Sequence, residues 1–204
     1  MQTGSVISKK LLVATNNQGK LKEYNVLLAE VPFTLVSLAH EGIDVDVEET
    51  GGTFKENAVL KASEYTAMSS LITLADDSGL EVDALGGEPG IMSARYAGEE
   101  AAGADLLNYL LTKIKGVPWE KRTARFICVI AIAIPGEDVK LCDGRCDGYI
   151  TYQAKGINGF GYDPIFYIPE LDKTMAELTI KEKNGVSHRA KAAQAARKLL
   201  MNFP

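Results

Sequence analysis

Apolar positions along this chain fall into blocks of two periods. Lys9 to Thr15, with Leu11-Leu12-Val13-Ala14 as its body, is a short unbroken run, and so is Leu71 to Ala75. Runs of this length bounded by turn residues predict buried strands. Thr34 to Leu38 predicts another, and the strongly apolar, β-branched Thr123 to Ile134 predicts a central strand. Pro135-Gly136-Glu137-Asp138 turns the chain, and Val139 to Tyr152 returns antiparallel. Between these runs the spacing is helical. Leu21, Tyr24, Leu27 and Leu28 give Lys20 to Ala29 one apolar face. Phe54, Ala58, Ala62 and Tyr65 do the same for a helix opened by the capping box Thr53-Phe54-Lys55-Glu56 and running to about Ser69. Ala101 to Lys115 reads as a helix with Leu106, Tyr109 and Leu110 inward. An alanine-rich helix capped by Ser187 closes the chain at Leu199-Leu200. Glu41 to Gly52, Gly86 to Gly90 and Gly156 to Pro164 read as loops. Interleaved helices and strands with one long antiparallel hairpin predict an α/β fold with a mixed central sheet. No linker divides the 204 residues, so a single domain is expected, with residues 1–8 a frayed extension.

Composition narrows the partners. The net charge of -5 argues against a nucleic-acid polymer, whose backbone calls for an excess of Lys and Arg. A small anion needs only a local cluster of cations. No apolar run approaches the roughly 18 residues of a membrane span, and Met1 to Lys10 lacks a secretory core. Cys128, Cys142 and Cys146 are an odd set, and the CxxxC spacing of the last two is a poor zinc signature. Reduced structural thiols in a cytoplasmic protein are the expectation.

Three places concentrate polar chemistry. The run Leu71 to Ala75 leads straight into Asp76-Asp77-Ser78-Gly79. Carboxylates at the exit of a buried strand are rigidly held where open α/β sheets bind ligands. Hard oxygens of this kind suit Mg2+, which sits on one or two carboxylates plus substrate phosphates. The same residues are also turn formers, so a strand followed by an Asx turn reads equally from them. The strand, the turn Thr15-Asn16-Asn17-Gln18-Gly19 and a helix with Lys20 in its first turn bring amides, side-chain donors and an ammonium together, as in phosphate sites. A surface lysine after an ordinary turn is the plain alternative. His188 and Arg189 also open a helix, where cations oppose the dipole by roughly 0.3–1 kcal/mol each; a bound anion or polar ligand would explain them. Gly159-Phe160-Gly161-Tyr162-Asp163-Pro164 presents rings beside a carboxylate, which suits base stacking and base-edge bonding. Alternatively, Phe160 and Tyr162 plug the core beneath a loop.

These motifs, in this order, resemble the inosine/xanthosine triphosphate pyrophosphatase family. The matching stretches are Thr15 to Lys20, Glu48 to Ala58, Ala75 to Leu80, Leu85-Gly86-Gly87 with Pro89-Gly90, Ser93 to Tyr96, Gly159 to Phe166 and Ser187-His188-Arg189. Asn16 and Asn158 stand where many members carry glycine. The resemblance implies an ITPase-like fold with two lobes around a cleft. It also implies Mg2+-dependent hydrolysis of non-standard purine nucleoside triphosphates to a monophosphate and pyrophosphate, and a homodimer. By the same resemblance, Thr15, Asn17 and Lys20 would hold phosphates, with Lys61 reaching them and Asn16, Gln18 and Gly19 completing the substrate-binding turn. Glu48 or Glu49, with Asp77, would bind Mg2+; Asp77 would also be the general base and Asp76 its support. Ser78 would touch the substrate, and Phe160 would stack on the base amid Gly161, Tyr162 and Asp163. Lys183, His188 and Arg189 would read the base and its surroundings. A nucleotide-binding regulatory module without turnover, a Maf-type pyrophosphatase or a general metal-dependent phosphatase remain rivals. The carboxylates argue against the first, and the released product separates the others.

Overall fold

The computed structural model describes residues 9–98 and 103–203. Seven strands form one sheet in the order β2-β1-β3-β4-β5-β6-β7. β1 (Lys9–Val13) is parallel to both β2 (Phe33–Ser37) and β3 (Ile72–Val82). Beyond β3 each pairing is antiparallel, through β4 (Thr123–Ala133), β5 (Lys140–Ile150), β6 (Phe166–Ile168) and β7 (Lys173–Thr174). The expected α/β class and mixed sheet are what forms. Helix α1 (Gln18–Leu27) packs Tyr24 and Leu28 on one face of the sheet, together with α5 (His188–Met201). Helix α2 (Phe54–Ser69) packs Ala58, Ala62 and Tyr65 on the other. The chain thus winds one way from β1 to β2 and the opposite way to β3. A crevice at the carboxyl ends of β1 and β3 follows from that reversal.

β3, β4 and β5 each have 11 residues, about 35 Å at roughly 3.3 Å per residue. That length carries them through two separate packing regions. Leu74, Ile130 and Cys142 belong to the core shared with α1 and α5. Leu80, Phe126 and Ile150 belong to a second core, closed by α3 (Ala104–Lys113) and the β6 region. Asp76, Asp77 and Ser78 fall between the two, where the lobes part.

Several elements differ from the pattern-based expectation. Asp76-Asp77 is not a strand exit followed by a turn: β3 runs unbroken to Val82, laddered to β4 from Thr73↔Ala133 to Val82↔Ala124. A long partner strand overrides the turn preference of Ser78 and Gly79. β1 itself stops pairing at Leu74, so the acidic pair does lie past the end of the parallel ladder. Helix α3 begins at Ala104, and residues 101 and 102 of the expected helix lie outside the described residues. Tyr109 is 39% exposed, edge-on to Tyr96, while Leu107 takes the core position. The stripe actually buried is Leu106, Leu107, Leu110 and Ile114. Helix α4 (Ile180–Val186), opened by a Thr179–Glu182 capping box, also escaped the pattern because it is short and polar.

Candidate active site

Strand alternation decides what each of two adjacent carboxylates does. Successive side chains on β3 point to opposite faces of the sheet. Asp76 and Ser78 point to the α1–α5 side; Asp77 points to the α2 side. The Asp76 carboxylate is buried and meets Lys20 Nζ at 3.0 Å through Oδ2, with Cys128 Sγ at 3.7 Å and Arg189 Nε at 3.8 Å. Burial works against its charge, but Lys20, Arg189 and Lys61 outweigh it and hold the carboxyl well below the usual range. Asp77 has a different neighbourhood. Asn57 Nδ2 donates to its Oδ2 at 3.1 Å, and Ser78 N donates to its Oδ1 at 2.9 Å. Burial pushes the Asp77 carboxyl up, Lys61 opposing and Glu49 adding to the rise. One carboxyl is held well below its ordinary value and its neighbour is pushed above it. Such divergence marks acid–base roles.

The α2 side also carries the cation-binding chemistry. Lys61, one turn after Asn57 on α2, hydrogen-bonds Glu49 Oε1 and lies 4.0 Å from Asp77 Oδ1. A single ammonium therefore stands between two carboxylates from different elements. Glu48 lines the same cleft, exposed and without an ion pair among the described residues. No group of three or more His, Cys, Asp and Glu is assembled into a closed metal cage among the described residues. That donor set fits Mg2+, which asks for one or two carboxylates and completes its shell with phosphates and water. The Lys61 ammonium already marks a place where positive charge is held between Glu49 and Asp77.

The β1–α1 turn is built as the sequence suggested. Asn17 is the N-cap of α1, its Oδ1 accepting from Lys20 N at 3.0 Å. Thr15 Oγ1 accepts from Asn17 N at 3.2 Å, and Asn16 Nδ2 donates to Asp46 Oδ1 at 3.2 Å. Thr15, Asn16, Asn17 and Lys20 line a cleft of about 940 Å³ together with Asp77, Ser78, Glu48, Glu49 and Lys61. Gln18 and Gly19 are not among the lining residues. Gly19 has another use: a Cβ there would stand 2.6 Å from Cδ1 of Phe160, so only glycine lets that ring lie on the start of α1.

Phe160 and Gly161 also line the cleft. Asp163 Oδ2 accepts from Phe160 N at 2.9 Å and from Lys183 Nζ at 2.6 Å, fixing the ring's backbone. Lys183 and Arg189 lie 5.0 and 5.5 Å from the ring centroid. Tyr162 is buried, its hydroxyl donating to Ser93 O at 3.0 Å. Of the two rings in the motif, Tyr162 is the core plug and Phe160 the half-exposed platform. His188 stacks on Phe126 at 4.6 Å; burial, with Arg189 and Lys183 nearby, drives its pKa far down, so the imidazole is neutral. Arg189 donates to Glu23 Oε2 at 2.6 Å and to Ser78 Oγ at 2.7 Å. At the start of α5, Glu23 and Asp76 supply counter-charge to Arg189.

Glu23 is a member of this charged network that pattern reading missed. Its two oxygens take Lys183 at 2.7 Å and Arg189 at 2.6 Å, joining α1, α4 and α5. The only local signal is that Glu23 sits three residues after Lys20, on the same helix face. Asp46 is a second example, bonding Asn16 from a distant segment; Asn57, four residues before Lys61 on the same helix face, does the same for Asp77.

Fold and cleft together define an α/β protein with an Asn-capped strand–helix turn beside adjacent carboxylates. A model of the Ham1 family matches residues 11–199, and the chain belongs to that family. The dITP/XTP pyrophosphatase of Bacillus subtilis (strain 168) is 47% identical over 195 residues, covering 96% of this chain and 98% of the relative. That of Geobacillus kaustophilus (strain HTA426) is 52% identical over 184 residues, 90% of each. The solved structure of the Staphylococcus aureus Ham1 protein superposes with a TM-score of 0.85 at 43% identity, covering 94% of this chain and 98% of that one. The family resemblance and the ITPase-like architecture expected from the motifs are thereby borne out. No helix among the described residues is long and apolar enough to cross a membrane.

Proposed function

We propose that this protein hydrolyses non-standard purine nucleoside triphosphates, XTP, ITP and dITP, to the monophosphate and pyrophosphate with Mg2+, and so cleanses the nucleotide pool. The single observation that carries the reading is the alternation at Asp76 and Asp77. Asp76 meets Lys20 of the β1–α1 turn on one face, and Asp77 lies beside Lys61 and Glu49 on the other. Dedicated pyrophosphatases of this name among the relatives support the substrate class.

The residues divide the work by position. Lys20, oriented by Asp76, and the Asn17-capped start of α1 receive phosphate oxygens. Asp77 accepts a proton from the attacking water. Lys61 leaves Glu49 for the phosphates as the substrate enters. Glu49 and Asp77 would hold Mg2+, which when bound neutralises phosphate charge and polarises the anhydride. Glu49 is favoured over Glu48 because it shares Lys61 with Asp77. Phe160 stacks on the base. Arg189 and Lys183, donor-only groups, favour the 6-oxo acceptor of hypoxanthine and xanthine over the 6-amino donor of adenine. A buried donor left unpaired costs roughly 1–3 kcal/mol, about a 5-fold to 150-fold handicap for ATP. The homodimer and the cytoplasmic location remain part of this reading; light scattering tests the first, and localising the tagged chain in fractionated cells tests the second.

The deciding experiment incubates wild type and Asp77→Asn with ITP, XTP, GTP and ATP and Mg2+, separating products by chromatography. Monophosphate and pyrophosphate from ITP and XTP are expected, with about a 100-fold or greater kcat loss in Asp77→Asn. Orthophosphate would point to a general phosphatase. Binding without turnover would point to a regulatory module.

A further inference from the structure

Arg95 carries no part of the chemistry assigned above, yet the fold goes to some length to place it. It ends a six-residue 3-10 segment, Gly90–Arg95, that lies against β3. Gly79 makes the approach possible: a Cβ there would stand 2.4 Å from Gly90 O and 2.5 Å from Ser93 Oγ. Ser93 Oγ accepts from Leu80 N at 2.8 Å and donates to Gly90 O at 2.6 Å. The guanidinium at the end of this pinned segment lines the cleft, with Nη1 3.9 Å from Glu49 Oε2. Glu49 is thus flanked by Lys61 on one oxygen and Arg95 on the other. Lys20, Lys61 and Arg189 each hold a carboxylate within 3.0 Å. Among the described residues, Arg95 is the cleft-lining cation with no carboxylate at hydrogen-bond distance.

We propose that Arg95 binds the β- and γ-phosphates of the substrate, the part released as pyrophosphate. The inference rests on the pyrophosphatase reading above. A guanidinium offers five donors in a planar fork that matches phosphate oxygens bidentately. The contact with Glu49 is long enough to give way to an anion and near enough to keep the side chain in place beforehand. Arg95 thus stands beside Glu49 and Lys61, the pair to which the reading above gives the metal and the phosphates, so a group there would meet the phosphate tail.

The test uses inorganic pyrophosphate with Mg2+, and IMP, as product inhibitors of wild type, Arg95→Ala and Arg95→Lys. The pyrophosphate inhibition constant should rise about 10-fold or more in Arg95→Ala, while that of IMP stays within about twofold. Arg95→Lys should fall between, keeping the charge and losing the fork. Titration calorimetry of pyrophosphate onto each protein repeats the comparison without turnover. The side chain is partly exposed, and thermal melting checks that both variants fold; Arg95→Lys carries the test if Arg95→Ala melts early. An unchanged pyrophosphate constant, or equal weakening of both products, overturns the proposal. A variant whose only change is a higher Mg2+ requirement also overturns it, because Arg95 would then act solely by orienting Glu49. If wild type releases no pyrophosphate from ITP, the pyrophosphatase reading has failed instead, and the wild-type product analysis shows that separately.

Discussion

Gly19→Ala separates the requirements of folding from those of the site. Gly19 is the second residue of α1 and its φ is not positive, so the backbone accepts an L side chain. Helix propensity alone favours alanine by up to about 1 kcal/mol. That would raise the melting temperature of a chain this size by no more than roughly 2–4 °C. The obstacle is Phe160. The new Cβ would stand 2.6, 2.8 and 3.0 Å from Cδ1, Cε1 and Cγ of its ring. Carbon atoms rest about 3.5–4.0 Å apart, so the ring must retreat by roughly 1 Å. Phe160 is half-exposed on a loop and can retreat without opening the core. Base–aromatic stacking is worth about 1–3 kcal/mol, so displacing the platform should lower kcat/KM for ITP by roughly 5-fold to 150-fold. The expected signature is a protein that melts at or slightly above the wild-type temperature and works poorly. A double-mutant cycle with Phe160→Ala assigns the cause: once the ring is gone, Gly19→Ala should cost nothing further. Measured kcat/KM within about twofold of wild type, or losses that add in the double variant, would refute the reasoning.

Three further outcomes are expected. In Mg2+ titrations of activity, Glu49→Gln should raise the metal requirement and lower kcat far more than Glu48→Gln, because Glu49 shares Lys61 with Asp77; equal effects would contradict that assignment. Asn158→Gly removes the 3.0 Å bond from Nδ2 to Leu178 O that latches the Phe160 loop; a bond of about 1 kcal/mol predicts roughly a 5-fold rise in KM for ITP with kcat kept, and an unchanged KM would show that the latch is idle. All three thiols are buried, and burial pushes Cys128 up to about 12 and Cys146 up to about 11 from the usual 9.0. The native protein should therefore resist an aromatic disulfide reagent at pH 8 and react fully in denaturant. A thiol protonated more tightly in the fold stabilises it below pH 9 and loses that contribution as pH climbs toward 11 and 12; melting temperatures across that range should fall, and rapid native labelling would contradict the burial.

Local pattern determined a good deal of this protein. Strands β1, β2, β4 and β5, helices α1, α2 and α5, the Thr53 cap and the Asn17 turn all follow from nearest-neighbour chemistry, which a single sequence displays. The motifs at Thr15 to Lys20, Asp76 to Ser78 and Phe160 to Asp163 were legible because residues only a few positions apart form each of them. Tertiary structure decided what these groups face. The alternation of β3 sends Asp76 to Lys20 and Asp77 to Lys61, a split visible only once the strand is known to continue through both. Burial makes His188 neutral, so a histidine beside an arginine at a helix start is not the pair of cations the sequence suggests. Glu23 meets Arg189 across 166 residues of sequence, and Gly19 meets Phe160 across a similar span. Such pairs leave no mark in any local window, because their energy comes from sharing one desolvated space that exists only after the sheet has wound both ways around β1.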